Sequence, residues 1–362
     1  MSLVRMQADA VVAQLETFAT IVDARSESEF ALDHLPGAVN WPTLHDDERQ
    51  AIGTMYVQVS AFEAKKRGAA IAARNISQHI EAHVLDQPKG WNPLVYCWRG
   101  GKRSGSLALV LDQIGFRVTL IDGGYKAFRA AMLRDLETCV ARLQFQVVCG
   151  TTGSGKTRLL HALERVGAQV LDLEDLACHR SSVLGAIPGR AQPSQKHFDT
   201  LVWNALRRFD PQRPVYVESE SKKVGNVSVA DALVNRMRNS PCLELRLPME
   251  ERVALLMEDY DTFVQDQVHF CERLDALTQA RGKATIQRWK DTVMAGDTPE
   301  VVRELLTLHY DPVYVQSMER NFVQYTQAQC VAPRDHTDAA MSDLAAQLLT
   351  AQTTIAAASS GH

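Results

Sequence analysis

The sequence has no CxxC pair among its seven cysteines, which are scattered along the whole chain. That absence argues against a disulfide framework and against a structural zinc site. No run of about 18 apolar residues is present, which argues against a membrane-spanning helix. The first ten residues, MSLVRMQADA, lack the basic start and the apolar core of a signal peptide. We therefore expect a cytoplasmic protein.

An excess of positive charge is also missing, because the formal net charge is -4 at pH 7. The whole molecule is therefore not expected to attract a polyanion, and any surface for RNA must be local. Small basic clusters occur at 65–67, 207–208 and 222–223. The composition, 46% hydrophobic and 23% charged over 362 residues, is typical of a globular protein with two domains.

The first 135 or so residues alternate short β-branched runs with amphipathic helical stretches, which predicts a mainly parallel sheet covered by helices. The predicted strands are 20–23, 94–97 and 117–122. The predicted helices are 61–67, 77–85, 104–114 and 125–137. Gly115 supplies the stop of the third of these helices.

A second α/β region begins with a predicted strand at 145–149, followed by a glycine-rich turn and a helix that Gly167 ends. Further strands are predicted at 170–173, 215–217 and 243–247. Beyond them an apolar stripe predicts a helix from Val253 to Val268, and Thr298 is the expected N-cap of another. We predict domains at 1–138 and 139–350, the second with a helical C-terminal part, and a disordered tail at 351–362.

The segment VYCWRGGKRS places Cys97 where a strand ends and a helix is about to begin. Two glycines let such a loop curl so that its backbone N–H groups point inward, and the following helix N-terminus adds partial positive charge. Nearby cations are typical of reactive cysteines. The sequence therefore predicts Cys97 as a nucleophile in an anion-binding loop formed by Arg99, Gly100, Gly101, Lys102 and Arg103.

The second glycine-rich turn satisfies the pattern G-x-x-x-x-G-K-[ST] between a predicted strand and a predicted helix. Its residues are Gly150, Thr151, Thr152, Gly153, Ser154, Gly155, Lys156 and Thr157. Backbone N–H groups of such a loop surround phosphate oxygens, Lys156 neutralises their charge, and the Thr157 hydroxyl is the candidate ligand if magnesium binds. The pattern indicates a phosphate or diphosphate site and does not by itself indicate ATP hydrolysis.

Acidic residues that follow predicted strands are candidates for the partner position of a phosphate loop. They are Asp172 and Glu174 after one strand and Glu218 and Glu220 after another, with Glu218 preferred. A polar segment downstream of the loop, which contains Arg190 and Gln195, begins with a turn and offers several hydrogen-bond donors. We expect these residues to contact substrate.

The first half of the chain resembles the rhodanese homology domain over its whole length. The resemblance is carried by DARSESEF from Asp23, HLPGAVN from His34, the Cys97 loop and DGGY from Asp122. In that family the loop cysteine carries a persulfide or its selenium counterpart. The spacing departs from the usual loop, because five residues rather than four separate Cys97 from Arg103. The same C-x5-R spacing is the signature of cysteine phosphatases, so a phosphatase remains an alternative for this half.

The loop sequence CWRGG and the order of the two loops resemble those of the tRNA 2-selenouridine synthases. Further matching segments are DLEDLA with His179 and Arg180, the segments around Gln195 and Glu218, and the stretch from Arg252 to Tyr260. The resemblance implies a rhodanese-like α/β domain followed by a P-loop NTPase-like α/β domain.

Its implied activity replaces the sulfur of wobble 2-thiouridine in the anticodon arm of tRNA by selenium from selenophosphate, through an S-geranyl intermediate made from geranyl diphosphate. No tightly bound cofactor is implied. The P-loop is then expected to bind the diphosphate of the prenyl donor. A cysteine phosphatase or a sulfurtransferase, fused to a P-loop kinase or NTPase, stays open as the alternative.

Overall fold

A computed structural model describes residues 3–179, 189–259 and 266–359. The chain forms two compact units, and each is assembled from more than one stretch of sequence. The first unit contains Met1–Ala141, Glu174–Arg208 and Lys223–Ala230. The second contains Arg142–Leu173, Phe209–Lys222 and Asp231–His362. Arg180 and Tyr260 lie outside the described residues, as do residues 260–265 of the helix predicted from Val253 to Val268.

The first unit is built on a five-stranded parallel sheet of order β1-β5-β4-β2-β3. Its strands are β1 Val4–Met6, β2 Thr20–Asp23, β3 Ala38–Asn40, β4 Pro93–Tyr96 and β5 Thr119–Ile121. Its helices up to the domain junction are α1 Ala8–Ala13, α2 Glu27–Leu32, α3 Asp46–Gln58, α4 Ala61–His83, α5 Lys102–Ile114 and α6 Gly124–Arg142. The prediction of two helices at 61–67 and 77–85 was wrong, because α4 runs unbroken through an alanine-rich stretch of strong helix formers.

Later segments of the chain complete the first unit. They are α9 Gln195–Leu206 and a short antiparallel hairpin of β9 Lys223–Val224 and β10 Val227–Ser228. The indole of Trp203 on α9 donates a hydrogen bond of 2.8 Å to Asp135 and packs edge-on against Phe128, at 5.7 Å between ring centroids. Trp203 is fully buried, so α9 belongs to the core of this unit.

The second unit has a parallel sheet of order β12-β11-β6-β8-β7. Its strands are β6 Phe145–Cys149, β7 Gln169–Leu171, β8 Val215–Glu218, β11 Cys242–Leu245 and β12 Gln329–Val331. Its helices are α7 Lys156–Arg165, α10 Asp231–Arg238, α11 Met249–Asp259, α12 Gln267–Leu274, α13 Thr278–Arg281, α14 Lys283–Met294, α15 Thr298–Leu305, α16 Asp311–Asn321 and α17 Asp338–Ser359. The short helix α8 Leu173–Leu176 begins at the last residue of one segment of this unit, and its other residues belong to the first unit.

Two apolar clusters hold the second unit together. Leu159, Leu160 and Leu163 of α7 pack with Met341 and Leu344 of α17 over the sheet. Trp289 of α14 is fully buried in a separate helical cluster. Fully burying such side chains contributes about 2 kcal/mol each before conformational entropy is counted.

Two features near the C-terminus differ from the sequence expectations. Thr298 is the first residue of α15 and not its cap, because the side chain of Asp297 accepts the hydrogen bond from the Glu300 N–H at 3.4 Å. Helix α17 extends to Ser359, over most of the segment 351–362 for which a disordered tail was predicted. Over the described part of the chain, none of the helices combines the length and apolar character needed to cross a membrane.

Candidate functional site: two anion-binding loops

The Cys97 loop occupies the carboxyl end of β4, the middle strand of the first sheet. Residues 97–101 form the loop, and α5 begins directly after it at Lys102. Ligands of parallel α/β sheets bind at this edge, outside the carboxyl ends of the strands. Cys97 is 3% exposed, while the Arg99 and Lys102 side chains beside it are exposed.

A close approach of backbone fixes the shape of this loop. The N–H of Tyr125, in the first turn of α6, donates to the Cys97 carbonyl at 2.8 Å. A Cβ on Gly124 would lie 2.3 Å from the Cys97 carbonyl oxygen, and one on Gly100 would lie 2.7 Å from the Ile121 carbonyl oxygen. Both glycines also have positive φ, +61° and +66°. Only glycine fits at these two positions.

The interior of the loop is lined with hydrogen-bond donors. The backbone N–H groups of residues 98–104 have no acceptor among the described residues. The hydroxyl of Ser104 lies 3.1 Å from the sulfur of Cys97. Free backbone amides at a helix N-terminus are the donors that an anion-binding site needs, and here they flank the Cys97 sulfur in sequence. Ser104 was not predicted from the sequence, although a serine directly after C-x5-R was the available signal.

The three cations of the loop have different surroundings. Arg103 is engaged by Glu29, with 2.5 Å between its Nη1 and Oε2. Burial alone would raise the pKa of the Glu29 carboxyl, but the Arg103 guanidinium outweighs it and lowers that pKa. Arg99 and Lys102 have no ion-pair partner within the described ranges. An incoming anion therefore meets two uncompensated cations and one that a carboxylate already holds.

A buried polar network lies under the loop and was not anticipated. Arg25 is 1% exposed, pairs with Asp23 at 2.6 Å and stacks on the Tyr125 ring with its guanidinium carbon 4.1 Å from the centroid. The Tyr125 hydroxyl donates to buried Asp33 at 2.6 Å. Burial, and then the bond to Asp33, raises the pKa of Tyr125 well above its usual value. Tyr125 is thus a structural residue, and its ring supports Trp98 at 5.4 Å between centroids.

The second loop joins β6, the middle strand of its sheet, to α7. Gly153 and Gly155 have φ of +75° and +86°. A Cβ at Gly155 would come within 2.5 Å of the Met341 side chain. The backbone N–H groups of residues 151–153 and 155–158 have no acceptor in the described part of the chain. This is the donor arrangement that phosphate oxygens require.

Side chains of the loop also point to a phosphate ligand. The Lys156 ammonium donates to the Gly150 carbonyl at 2.9 Å and pairs with no carboxylate among the described residues. The buried hydroxyls of Thr152 and Ser154 have no hydrogen-bond partner there. Buried polar atoms are rarely left without partners, so a polar ligand is expected to satisfy them.

Arg252 of α11 braces this loop and was noted in the sequence only as part of a family segment. Its guanidinium donates to the Thr152 carbonyl from Nε at 3.0 Å and from Nη2 at 2.7 Å. Two further bonds, of 2.9 and 2.6 Å, reach the Asp311 carboxylate. Arg252 is 6% exposed. The loop's conformation therefore depends on a residue about 100 positions away in sequence.

The acidic candidates divide between two strands of the second sheet. Glu218 is the last residue of β8, which pairs with β6, and it is 1% exposed. Carboxylate oxygens of Glu218 and Glu220 lie within 4.8 Å of each other. Asp172 follows the edge strand β7 and lies 3.3 Å from the His161 imidazole. Hard oxygen donors at the end of the strand beside a phosphate loop suit magnesium, so Glu218 and Glu220 are residues that would hold it, and Thr157 stays a prediction.

Arg190 and Gln195 each have polar partners in the described part of the chain, and their contact with substrate stays a prediction. Arg190 is exposed and pairs with Asp175 at 2.9 Å. Gln195, the first residue of α9, exchanges hydrogen bonds of 2.8 and 2.7 Å with the backbone of Ser228 on β10. The donors of Gln195 thus fasten α9 to the hairpin.

Comparison with known proteins gives the same two-part organisation. Residues 7–131 match the model of the Rhodanese-like domain, and residues 143–281 match the model of the tRNA 2-selenouridine synthase AAA domain. Proteins described as tRNA 2-selenouridine synthase are 36% identical in Nitrosomonas europaea, 31% in Marinobacter nauticus and 33% in Alcanivorax borkumensis. These matches cover 66, 81 and 72% of this chain and 63, 87 and 71% of the relatives' lengths.

Proposed function

Because the chain belongs to the tRNA 2-selenouridine synthase family, we propose that it converts wobble 2-thiouridine of tRNA to 2-selenouridine, with selenophosphate as the selenium donor. The observation that carries this proposal is the presence of two loops of unrelated type, each lined with free backbone amides. Two anionic donors require two such loops. The tRNA would present its anticodon arm, in the cytoplasm.

In the first step the sulfur of 2-thiouridine attacks C1 of geranyl diphosphate. The C–O bond breaks, diphosphate leaves with the electron pair, and the base loses its N3 proton. The P-loop would bind the diphosphate, with Lys156 and the loop amides stabilising the charge that develops on it. Magnesium, held by Thr157 and Glu218, would supply further charge neutralisation.

In the second step hydrogen selenide, as its anion, attacks C2 of the S-geranyl nucleoside, and the C2–S bond breaks so that geranyl thiolate leaves with the electron pair. The proton carried by the selenium moves to N3. The selenium of selenophosphate is already at the oxidation level of selenide. A perselenide on Cys97 would therefore need an oxidant to form, and neither co-substrate provides one. Attack of the Cys97 sulfur on phosphorus needs none: the P–Se bond breaks, hydrogen selenide is released, and water later frees phosphate from the sulfur.

The geometry of the Cys97 loop supports this phosphoryl route. Its free amides can donate to three phosphoryl oxygens, and the ion pair with Glu29 orients the Arg103 guanidinium that would also donate to them. The Ser104 hydroxyl, 3.1 Å from the sulfur, stabilises the thiolate when the phosphoryl group departs. The expected covalent species is a phosphocysteine, detectable by mass spectrometry after acid quench.

Mass spectrometry of the wobble nucleoside tests the overall function. Thiolated tRNA is incubated with enzyme, geranyl diphosphate and selenophosphate, and each donor is omitted in turn. We expect S-geranyl-2-thiouridine without selenophosphate and 2-selenouridine only with both donors. Release of phosphate from aryl phosphates without any change to the tRNA would instead favour the phosphatase alternative.

Variants separate the two steps. Lys156→Ala should lose alkylation and affinity for inorganic pyrophosphate, whereas Cys97→Ser should lose only selenation. Ser104→Ala should slow release of phosphate and so accumulate phosphocysteine. Exposed Lys66, paired with Glu63 on α4, offers a control as Lys66→Ala. Normal selenation by Cys97→Ser would remove the cysteine from the mechanism.

A further inference from the structure

A cavity of about 230 Å³ lies in the first unit, where the start of α5, directly after the Cys97 loop, faces α3 and α4. Its walls are mostly apolar and come from the segment before α3, from α3 and from α4: Leu44, Ile52, Tyr56, Ala64, Ala69 and Ala72. Neither the alkylation step at the P-loop nor the phosphoryl chemistry at Cys97 uses these side chains. An apolar cavity with a few polar groups is typical of a small-molecule site.

Small residues of α4 create this space. Ala64, Gly68 and Ala72 are four residues apart and therefore share one face of the helix. A Cβ on Gly68 would reach 3.4 Å from the Ile52 side chain, so the facing helix α3 already touches the wall at that point. Larger side chains on this face of α4 would fill the cavity.

One side of the cavity is cationic and is formed in part by the first turn of α5, which directly follows the Cys97 loop. Lys102 and Arg103, at the start of α5, line it together with Lys65 of α4. Lys65 and Lys102 have no ion-pair partner among the described residues. Ser104, between the lining residues Arg103 and Ser106, contacts the Cys97 sulfur. A ligand in this cavity is thus within one helical turn of the cysteine loop.

Apolar walls with lysines beside them fit a hydrocarbon chain that is attached to an anionic molecule. An engineered apolar cavity of about 150 Å³ admits benzene, so by proportion this one admits about nine carbon atoms. Tyr56, Val57, Val59 and Phe62 continue the apolar surface along the chain and are 52, 84, 73 and 66% exposed. Exposed apolar side chains in such number indicate a surface that a ligand or partner covers.

We propose that this cavity binds the ten-carbon chain of the S-geranyl nucleoside while the base faces the Cys97 loop. The inference rests on the proposed function and adds to it the site that recognises the intermediate. Lys65, which lines the cavity and lies outside the Cys97 loop, contacts an RNA phosphate next to the modified nucleoside. The chain's attachment through sulfur then places C2 at the position where selenide is released.

A pair of neighbouring alanines on α4 provides the test. Ala69 lines the cavity and Ala70 does not, yet both are exposed on the same helix, so Ala69→Leu and Ala70→Leu should fold equally well. Affinities of the full-length protein are measured for an anticodon stem-loop carrying S-geranyl-2-thiouridine and for the same RNA carrying S-methyl-2-thiouridine. Ala72→Leu gives a second filling variant, with thermal unfolding as the check on its fold.

We expect the wild type and Ala70→Leu to prefer the geranylated RNA by at least tenfold, and Ala69→Leu and Ala72→Leu to prefer it by less than threefold. A wild type that makes 2-selenouridine without any such preference would overturn the assignment of the cavity to the geranyl chain and would leave the proposed function standing. A wild type that leaves the geranylated RNA unconverted in the presence of selenophosphate would contradict the proposed function, whatever its binding preference. Geranyl diphosphate, tested alone, should bind Ala69→Leu as well as it binds the wild type. Weaker binding by that variant would assign the cavity to the free donor.

Discussion

Replacing Arg252 by Met should weaken phosphate binding, because Arg252, although about 100 residues away in sequence, hydrogen-bonds to the phosphate loop. The guanidinium makes two hydrogen bonds to the Thr152 carbonyl and two to Asp311, and the residue is 6% exposed. Methionine keeps most of the side-chain volume and removes all four bonds. The carbonyl and the carboxylate are then left without their partner.

The loss in free energy of unfolding depends on how deeply the groups that lose their partner are buried. Breaking a buried ion pair by removing one partner costs about 3–5 kcal/mol. The Asp311 side chain is 24% exposed, so water compensates part of the loss, and we expect about 2–3 kcal/mol for the second unit. In Arg252→Met the phosphate loop must also become ordered before it binds, so we expect its affinity for pyrophosphate to fall by at least about tenfold, or 1.4 kcal/mol.

Urea unfolding and pyrophosphate titration measure both effects. Trp289 is the one tryptophan of the second unit and is fully buried, so its fluorescence reports unfolding there. The matched control is Arg246→Met, because Arg246 also pairs with a carboxylate, Glu244, but is 64% exposed. That control should change stability by less than about 1 kcal/mol. The reasoning fails if Arg252→Met behaves like the control in stability and in pyrophosphate affinity.

Two further predictions concern the first unit. Gly124→Ala should abolish selenation and destabilise the first unit by more than about 2 kcal/mol, because alanine would have to adopt a left-handed conformation with its Cβ 2.3 Å from the Cys97 carbonyl oxygen. The control is Gly105→Ala, whose Cβ would meet nothing within 4 Å and which should be neutral or stabilising in the same urea assay. Burial lowers the pKa of His34 and His79 below the ordinary 6.5, so the unfolded chain takes up more protons there and stability should fall as pH drops through 6.5. His34→Phe should flatten this fall in unfolding measured between pH 5 and 8, and an unchanged slope would exclude His34 as a cause.

Local sequence determined both loops. The Cys97 loop and the phosphate loop each follow a short apolar strand and lead into a helix, and glycines at the turns meet backbone requirements that neighbouring residues impose. The strands at 20–23 and 145–149 are confirmed to the residue, because hydrophobic runs bounded by turn residues are a local signal. The α/β class of both halves follows from the same alternation of patterns.

Tertiary structure decided what surrounds those loops. Arg252 reaches the phosphate loop and Arg25 supports the cysteine loop only because distant segments pack together, and a buried arginine looks like an exposed one in sequence. For the same reason the sequence does not show that Gln195 hydrogen-bonds to Ser228 on the hairpin. Trp203 joins α9 to the first unit through its burial, and Ser228 joins the hairpin to α9 through its hydrogen bonds with Gln195. Periodicity reports which face of an element is apolar, but it carries no information on which other element covers that face.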